Sequence, residues 1–454
     1  MVIAVDSSSP PPQQQHVALF AFPFGTHVAP LHALARALAS AAPEAIFSFI
    51  STPETFTPLP QTAGNLRLIP FDGGKLDAGS SAGVLDRIGK FLAAAPEKIG
   101  AAVKTAEANA GGVPVSCVVS DAFMWMAEST AEEMRVPWIA LFSAFTLSIL
   151  THVHTDDLRS RFGIEEEAMA AHADEPLDFI PGLAAMRVRD LPEGIIHGGT
   201  NTNFSVHLRR MGQRLPRAAA VVLPTLAAFE QDLFVFRKLN LPLLIGPLNL
   251  LSPTPPISDK EDCLPWLDSY ASSSVAYVAF GTVAALPPAE LAELAHGLED
   301  SGVPFLWSIK KELRSGLPDG FEERTRLRGK LVSWAPQVPV LSHRAVGVFV
   351  SHCGWNSTLE SISAGVVMLC KPIFADQRMV ARAMEEMLGV GRYFDDVITR
   401  EGFVTAMDEI MRGIDGKRMR ERVKKVREKT VEAMLPGGRL SENFNVLVEL
   451  VRGR

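Results

Sequence analysis

The sequence predicts an α/β protein of two facing Rossmann-like domains, each a parallel sheet with helices on its faces, separated by a cleft. Three observations support this. Short apolar runs alternate with longer helix-prone segments, the pattern of stacked βα units. A stretch at 247–262 packs four prolines into sixteen positions, the composition of an interdomain linker. The alternation then restarts. Ligands of open α/β sheets bind beyond the carboxyl ends of the strands, so the chemistry is expected in post-strand loops facing the cleft.

Taken in order, residues 1–15 carry Asp6, a serine run, three prolines and three glutamines, which reads as a polar disordered leader without the apolar core of a secretory signal. HVALFAF (16–22) is the first strand and Val28 to Ala42 the first helix. FSFIS (47–51), LRLIPF (66–71), VSCVVS (115–120), PWIALF (137–142) and AVVLP (220–224) complete the strands of a first domain spanning 16–246. Beyond the linker, SVAYVAF (274–280), VPFLWSI (303–309), KLVSW (330–334), VGVFVS (346–351) and VVMLC (366–370) build a second domain over 263–454. The charged run Lys417 to Lys429 reads as a solvated helix face, and Phe444 to Val451 as a last helix able to dock back on the first domain.

Composition narrows the function. In 454 residues, 44 Lys and Arg stand against 51 Asp and Glu, a net charge of −7, so no broad cationic field is available for nucleic acid or an anionic membrane. The most apolar stretch, His16 to Ala42, is broken by Pro23, Gly25, His27, Pro30 and Arg36, and no membrane-spanning segment is expected. The four cysteines form no CxxC pair, which argues for reduced thiols, no zinc knuckle and a cytoplasmic protein.

The first candidate chemistry follows the first strand, in FPFGTH (22–27). His27 at a helix start faces the positive end of the macrodipole, which is expected to keep the imidazole neutral, as a general base must be. Asp121 stands directly beyond another buried strand and can reach the same rim, either to orient His27 or to cap the next turn. No G-x-S-x-G elbow and no G-x-G-x-x-G follows a strand, which weakens serine-hydrolase and nicotinamide readings. His152 and His154 would point to different faces of a helix, a poor metal site.

The densest cluster runs from Trp334 to Gln377. Strand VGVFVS ends in His352, Cys353, Gly354, Trp355, Asn356 and Ser357 as a helix begins, so free N–H groups, the helix dipole and the side chains of His352, Asn356 and Ser357 can converge on a diphosphate. Trp334 offers a face for a base to stack on, and Gln337 a donor and acceptor for its edge. Asp376 and Gln377 suit sugar hydroxyls, and Thr282 in AFGTV (279–283) can reach the phosphates. Together these describe a nucleotide-sugar pocket.

That stretch resembles the signature box of plant UDP-dependent glycosyltransferases of secondary metabolism: an opening W-A-P-Q, a central H-C-G-W-N-S with Glu360 three residues after the serine, and a closing D-Q. The resemblance implies the GT-B arrangement, with acceptor on the first half and UDP-sugar on the second. It implies that Trp334 stacks on uracil, that the Ala335 backbone and Gln337 meet its edge, and that Glu360 holds the ribose. His352, Trp355, Asn356, Ser357 and Thr282 would surround the diphosphate, and Thr26, Ser143, Asp376 and Gln377 the sugar. The closing glutamine is associated with glucose. FPFGTH, SDAFMW, IPGLAAMRVRDLPEGI (180–195) and HLRRMGQRLPRA (207–218) are similar to flavonoid 3-O-glucosyltransferases, in which Phe24, Phe123, His152 and Phe374 would line the acceptor pocket. Departures include Gly25 for a common Ser, Ser143 for Thr, Val367 for Pro and Val380 for Asn.

The implied reaction is a metal-free inverting displacement using UDP-glucose as co-substrate and no further cofactor, by a monomer whose partners are small molecules. The competing readings are the same machinery on another phenol or an indole, C-glycoside formation, and a UDP-sugar-binding protein without catalysis. An acceptor panel with product analysis separates them.

Overall fold

The computed structural model describes residues 14–56, 59, 64–72, 84–230, 233–253, 258–282, 285–395 and 397–454. Residues 1–13 of the expected leader, 254–257 of the linker and Val283 of AFGTV lie outside them.

Apolar, β-branched runs, buried on both sides in the sheet interiors and partly exposed at the edges, form two wholly parallel sheets. The first contains β1 (His16–Phe20), β2 (Ile46–Ser51), β3 (Leu66–Pro70), β4 (Cys117–Asp121), β5 (Trp138–Leu141), β6 (Ala220–Pro224) and β7 (Pro242–Ile245), in the order β3-β2-β1-β4-β5-β6-β7. The second contains β8 (Val275–Ala279), β9 (Phe305–Ser308), β10 (Gly329–Val332), β11 (Val346–Ser351), β12 (Val367–Cys370) and β13 (Gly391–Tyr393), in the order β10-β9-β8-β11-β12-β13. This is the GT-B fold.

Strand order reverses between β1 and β4 in the first sheet and between β8 and β11 in the second. At each reversal the connections leave in opposite directions and open a crevice at the strands' carboxyl ends. His27 and Asp121 stand at the first crevice, and Gly281 and His352 at the second.

Two strands escaped the sequence reading, both at sheet edges. β7 opens on Pro242, which is tolerated at the first residue of an edge strand but obscures its β pattern. β13 is three residues long and carries an exposed Arg392. The helix Arg439–Val451 lies against the first sheet: Leu447, Val448 and Val451 join the cluster of Val17, Leu19 and Leu243, and Asn443 Nδ2 donates to the Leu244 carbonyl at 2.8 Å. Among the described residues no helix is long and apolar enough to cross a membrane. All four cysteines are free and buried.

Candidate active site

Helix Val28–Ala41 begins where β1 delivers its chain to the cleft, and this sets His27 at the rim with its side chain 22% exposed. Its Nδ1 lies 3.0 Å from Oδ2 of Asp121, whose carboxylate is buried at the end of β4. Oδ1 of Asp121 accepts from the Phe123 N–H at 2.9 Å, so the one carboxylate both caps the following turn and orients the imidazole. Ser143, after β5, donates to Asp121 Oδ2 at 3.4 Å. With Nδ1 turned to Asp121, Nε2 is the nitrogen left for an incoming hydroxyl.

Burial pushes the His27 imidazole down, but the carboxylates of Asp121 and, from the opposite half, Asp376 outweigh it, and its pKa is raised. The helix start favours the neutral ring, and the two carboxylates oppose it. A helix terminus acts as about half a charge, and here two full carboxylates oppose it.

Aromatic rings wall the crevice. Phe123 lies 4.6 Å from the His27 ring, Phe22 packs edge-on to His27 at 5.2 Å, and Phe204 extends the wall beyond Phe123 at 6.2 Å. His207 is locked behind them: its Nδ1 accepts from Trp125 Nε1 at 3.2 Å and its Nε2 donates to the Phe123 carbonyl at 2.8 Å. Burial pushes His207 down to about 4, so it stays neutral and serves as a fixed strut for Phe123.

In the second half, helix Trp355–Ala364 starts directly after β11 and leaves its first N–H groups facing the crevice. The His352 ring fits between two glycines, since a Cβ on Gly281 would lie 2.9 Å and one on Gly354 2.6 Å from its Nε2. Burial pushes His352 down to about 4, only partly opposed by the Ala279 backbone, so it offers a neutral N–H and not a cation. Cys353, between His352 and Gly354, takes the left-handed conformation at φ 66°, and the buried Ser351 hydroxyl steadies it by accepting its N–H at 3.2 Å.

Below that cradle, Gln337 Nε2 donates to Glu360 at 2.7 Å and to Ser357 at 3.0 Å, while the buried Tyr277 hydroxyl donates to Gln337 Oε1 at 3.3 Å. Burial pushes Glu360 up to about 7, with Gln337 opposing. Trp334 is 46% exposed at the rim and Ala335 beside it is buried. The Asp376–Gln377 pair sits after β12. Gln377 Oε1 accepts from the N–H groups of Ile373 and Phe374 at 2.8 and 3.1 Å, which leaves its NH₂ as the recognising end. Asp376 Oδ2 crosses to the first half, accepting from Phe145 N at 2.7 Å and Ser148 Oγ at 3.2 Å.

Thr26 and Thr282 are exposed at the rims, and Asn356 and Ser357 lie half-buried in the first turn of their helix. Trp355 is placed elsewhere than expected. Its indole is 3% exposed, packs on Phe145 and Phe229, and donates to the Pro224 carbonyl at 2.9 Å, so it wedges the two halves together. Phe24 is buried against Phe22 and Phe91, and His152 is 7% exposed beneath Phe142, with burial pushing it down to about 4. Phe374 is 41% exposed at the mouth.

Several groups were not legible in the sequence. Glu261, from the linker, accepts the N–H groups of Ser333 and Trp334 at 2.9 and 3.1 Å and so fixes the Trp334 backbone. Lys310, just past β9, donates to the Thr282 carbonyl at 2.7 Å and brings a cation to the loop after β8. Its signal was a lysine pair directly following a strand; Glu261 had none.

Two Rossmann-like halves joined face to face, with one crevice carrying a histidine–carboxylate pair and the other a helix-start cradle, define a glycosyltransferase of the GT-B class. Within that class the chain belongs to the family described as UDP-glucoronosyl and UDP-glucosyl transferase, whose model matches residues 82–427. It is 47% identical to a myricetin 3-O-rhamnosyltransferase of Crocosmia x crocosmiiflora, over 99% of each chain. It is 42% identical to an anthocyanidin 3-O-glucosyltransferase of Vitis vinifera, over 96% of this chain and 97% of the other. A crystal structure of a UDP-glucose: anthocyanidin 3-O-glucosyltransferase in complex with UDP superposes with a TM-score of 0.91 at 38% identity, covering 98% of this chain and all of that one.

Proposed function

We propose that the protein transfers glucose from UDP-glucose to the 3-hydroxyl of a flavonol or anthocyanidin, with inversion at the anomeric carbon and without a metal ion. The observation that carries the reading is the His27–Asp121 pair, 3.0 Å apart at the β1/β4 crevice, with its field shared by Asp376 of the facing half. In this reading residues 16–246 hold most of the acceptor, 263–454 hold most of the donor, and 247–262 join them in a cytoplasmic monomer.

The roles are those that the signature-box resemblance implies. Trp334 stacks on uracil, Ala335 and Gln337 meet its edge, and the Glu360 carboxylate accepts from the ribose hydroxyls. The N-terminal N–H groups of helix Trp355–Ala364, with His352, Asn356, Ser357 and Thr282, hold the diphosphate. Lys310 adds positive charge beside Thr282. Thr26, Ser143, Asp376 and the Gln377 NH₂ take the sugar hydroxyls. A flat polyphenol lies along Phe123 and Phe204, with Phe374 at the mouth.

His27 Nε2 accepts the phenolic proton as the oxygen attacks C1 of the α-linked sugar. The C1–O bond to the β-phosphate breaks, its electron pair leaves with UDP, and a β-glycoside results. The imidazolium formed is paired with Asp121 throughout. Both relatives named above act at the 3-hydroxyl of flavonoids but carry different sugars, rhamnose and glucose. Gln377 at the close of the signature box favours glucose here.

The test is turnover of UDP-glucose, UDP-galactose and UDP-rhamnose with a flavonol, for the wild type and His27→Ala. Glucose should be preferred, and His27→Ala should lower turnover by about 10²–10⁴ while UDP-glucose binding persists. Unchanged turnover removes His27 as the base, and a preference for UDP-rhamnose overturns the donor assignment.

A further inference from the structure

The turn that presents Asp376 and Gln377 is held from the opposite half of the molecule. Ala375 takes the left-handed conformation, φ 56°, which an alanine adopts only when its surroundings fix it. Its N–H donates to Oε2 of Glu193 at 2.7 Å, and Glu193 belongs to the first half. The next residue, Asp376, is bonded to Phe145 and Ser148 of the first half, and Arg382, at the end of helix Gln377–Arg382, forms a buried ion pair with Asp190. Within the second half the turn is tied by the Gln377 side chain bonding to Ile373 and Phe374. Gln377 therefore points its NH₂ according to a loop whose strained residue is fixed by a carboxylate from the acceptor half.

We infer that Glu193 is a positioning residue for donor-sugar selectivity: by fixing Ala375 it sets where Asp376 and Gln377 meet the sugar's hydroxyls, and so which epimer is accepted. This rests on the assignment of those two residues to the sugar. Glu193 is itself exposed, makes this bond at its carboxylate tip, and contributes nothing to the buried core, so its removal leaves the fold intact.

The test compares wild type, Glu193→Ala and Glu193→Gln by calorimetric binding of UDP, UDP-glucose and UDP-galactose, and by the kcat/KM ratio of the two sugars with one flavonol. Glu193→Ala should reduce the glucose-to-galactose preference about tenfold or more with UDP affinity unchanged. Glu193→Gln, which keeps an acceptor oxygen, should restore the preference to within about twofold. An unaltered preference in Glu193→Ala overturns the inference, as does a parallel loss of UDP affinity, which would mean general disruption. The binding arm keeps the two readings apart: wild-type protein that discriminates between UDP-sugars but glycosylates no flavonol contradicts the proposed reaction and leaves the Glu193 comparison measurable.

Discussion

Replacing Asp121 with Asn probes the His27–Asp121 pair with the least change of shape. In the wild type the two carboxylates hold the His27 pKa above 6.5 against the pull of burial. Charges about 4 Å apart at an effective dielectric near 20 interact by ~4 kcal/mol, an upper bound for the pair. Hydrogen bonds to charged groups are worth ~1.5–3 kcal/mol, and with the His27 edge open to solvent this smaller figure governs the Asp121 contribution. In the proposed reaction the neutral ring is the base, so kcat/KM should rise with pH through the raised wild-type pKa. In Asp121→Asn burial dominates, and that acid limb should move to lower pH. The plateau should also fall by ~10²–10⁴, because an amide can donate to Nδ1 and stabilise the wrong tautomer. The assay is initial-rate kinetics with a flavonol and saturating UDP-glucose from about pH 5 to 9. An acid limb that stays in place, or moves upward, refutes the assignment of the raised pKa to Asp121.

Three further outcomes follow from the same geometry. Burial raises Glu360 to about 7, and in the proposed reading its ionised form accepts from the ribose hydroxyls, so UDP affinity measured by calorimetry should increase as pH rises through 7 and become flat in Glu360→Gln. Gly354→Ala places a Cβ 2.6 Å from His352 Nε2, which should raise the KM for UDP-glucose about tenfold and destabilise the fold by ~1–3 kcal/mol in urea titration. Asp190→Ala leaves the guanidinium of Arg382, 5% exposed, with Glu386 at 2.6 Å as its remaining carboxylate and should cost ~1.5–3 kcal/mol in the same titration, whereas Asp190→Ala with Arg382→Leu should recover much of it.

What the sequence disclosed and what it hid follow a physical line. His27, Asp121 and His352 were legible because each lies at or beyond the carboxyl end of a buried apolar strand: Asp121 closes β4, His352 directly follows β11, and His27 stands at the start of the helix after β1. Gln337 and Glu360 were legible through the spacing of one contiguous box. The contacts that cross between halves have no local signature: Asp376 with Phe145, Ala375 with Glu193 and Arg382 with Asp190 join residues far apart in the chain. Trp355 was misplaced for the same reason, because its partners Phe145, Phe229 and Pro224 all come from the other half. The pairing of His27 with Asp121 was legible, whereas the field of Asp376, which reaches His27 from the other half, had no local signature.

The most direct measurement is proton NMR of the product formed from UDP-glucose and a flavonol. The account predicts a single 3-O-glucoside whose anomeric coupling marks the β configuration, with one UDP released per glycoside. An α-linked product, or UDP released without any glycosylated flavonol, would contradict a displacement in which His27 strips the phenol and the second half holds the sugar.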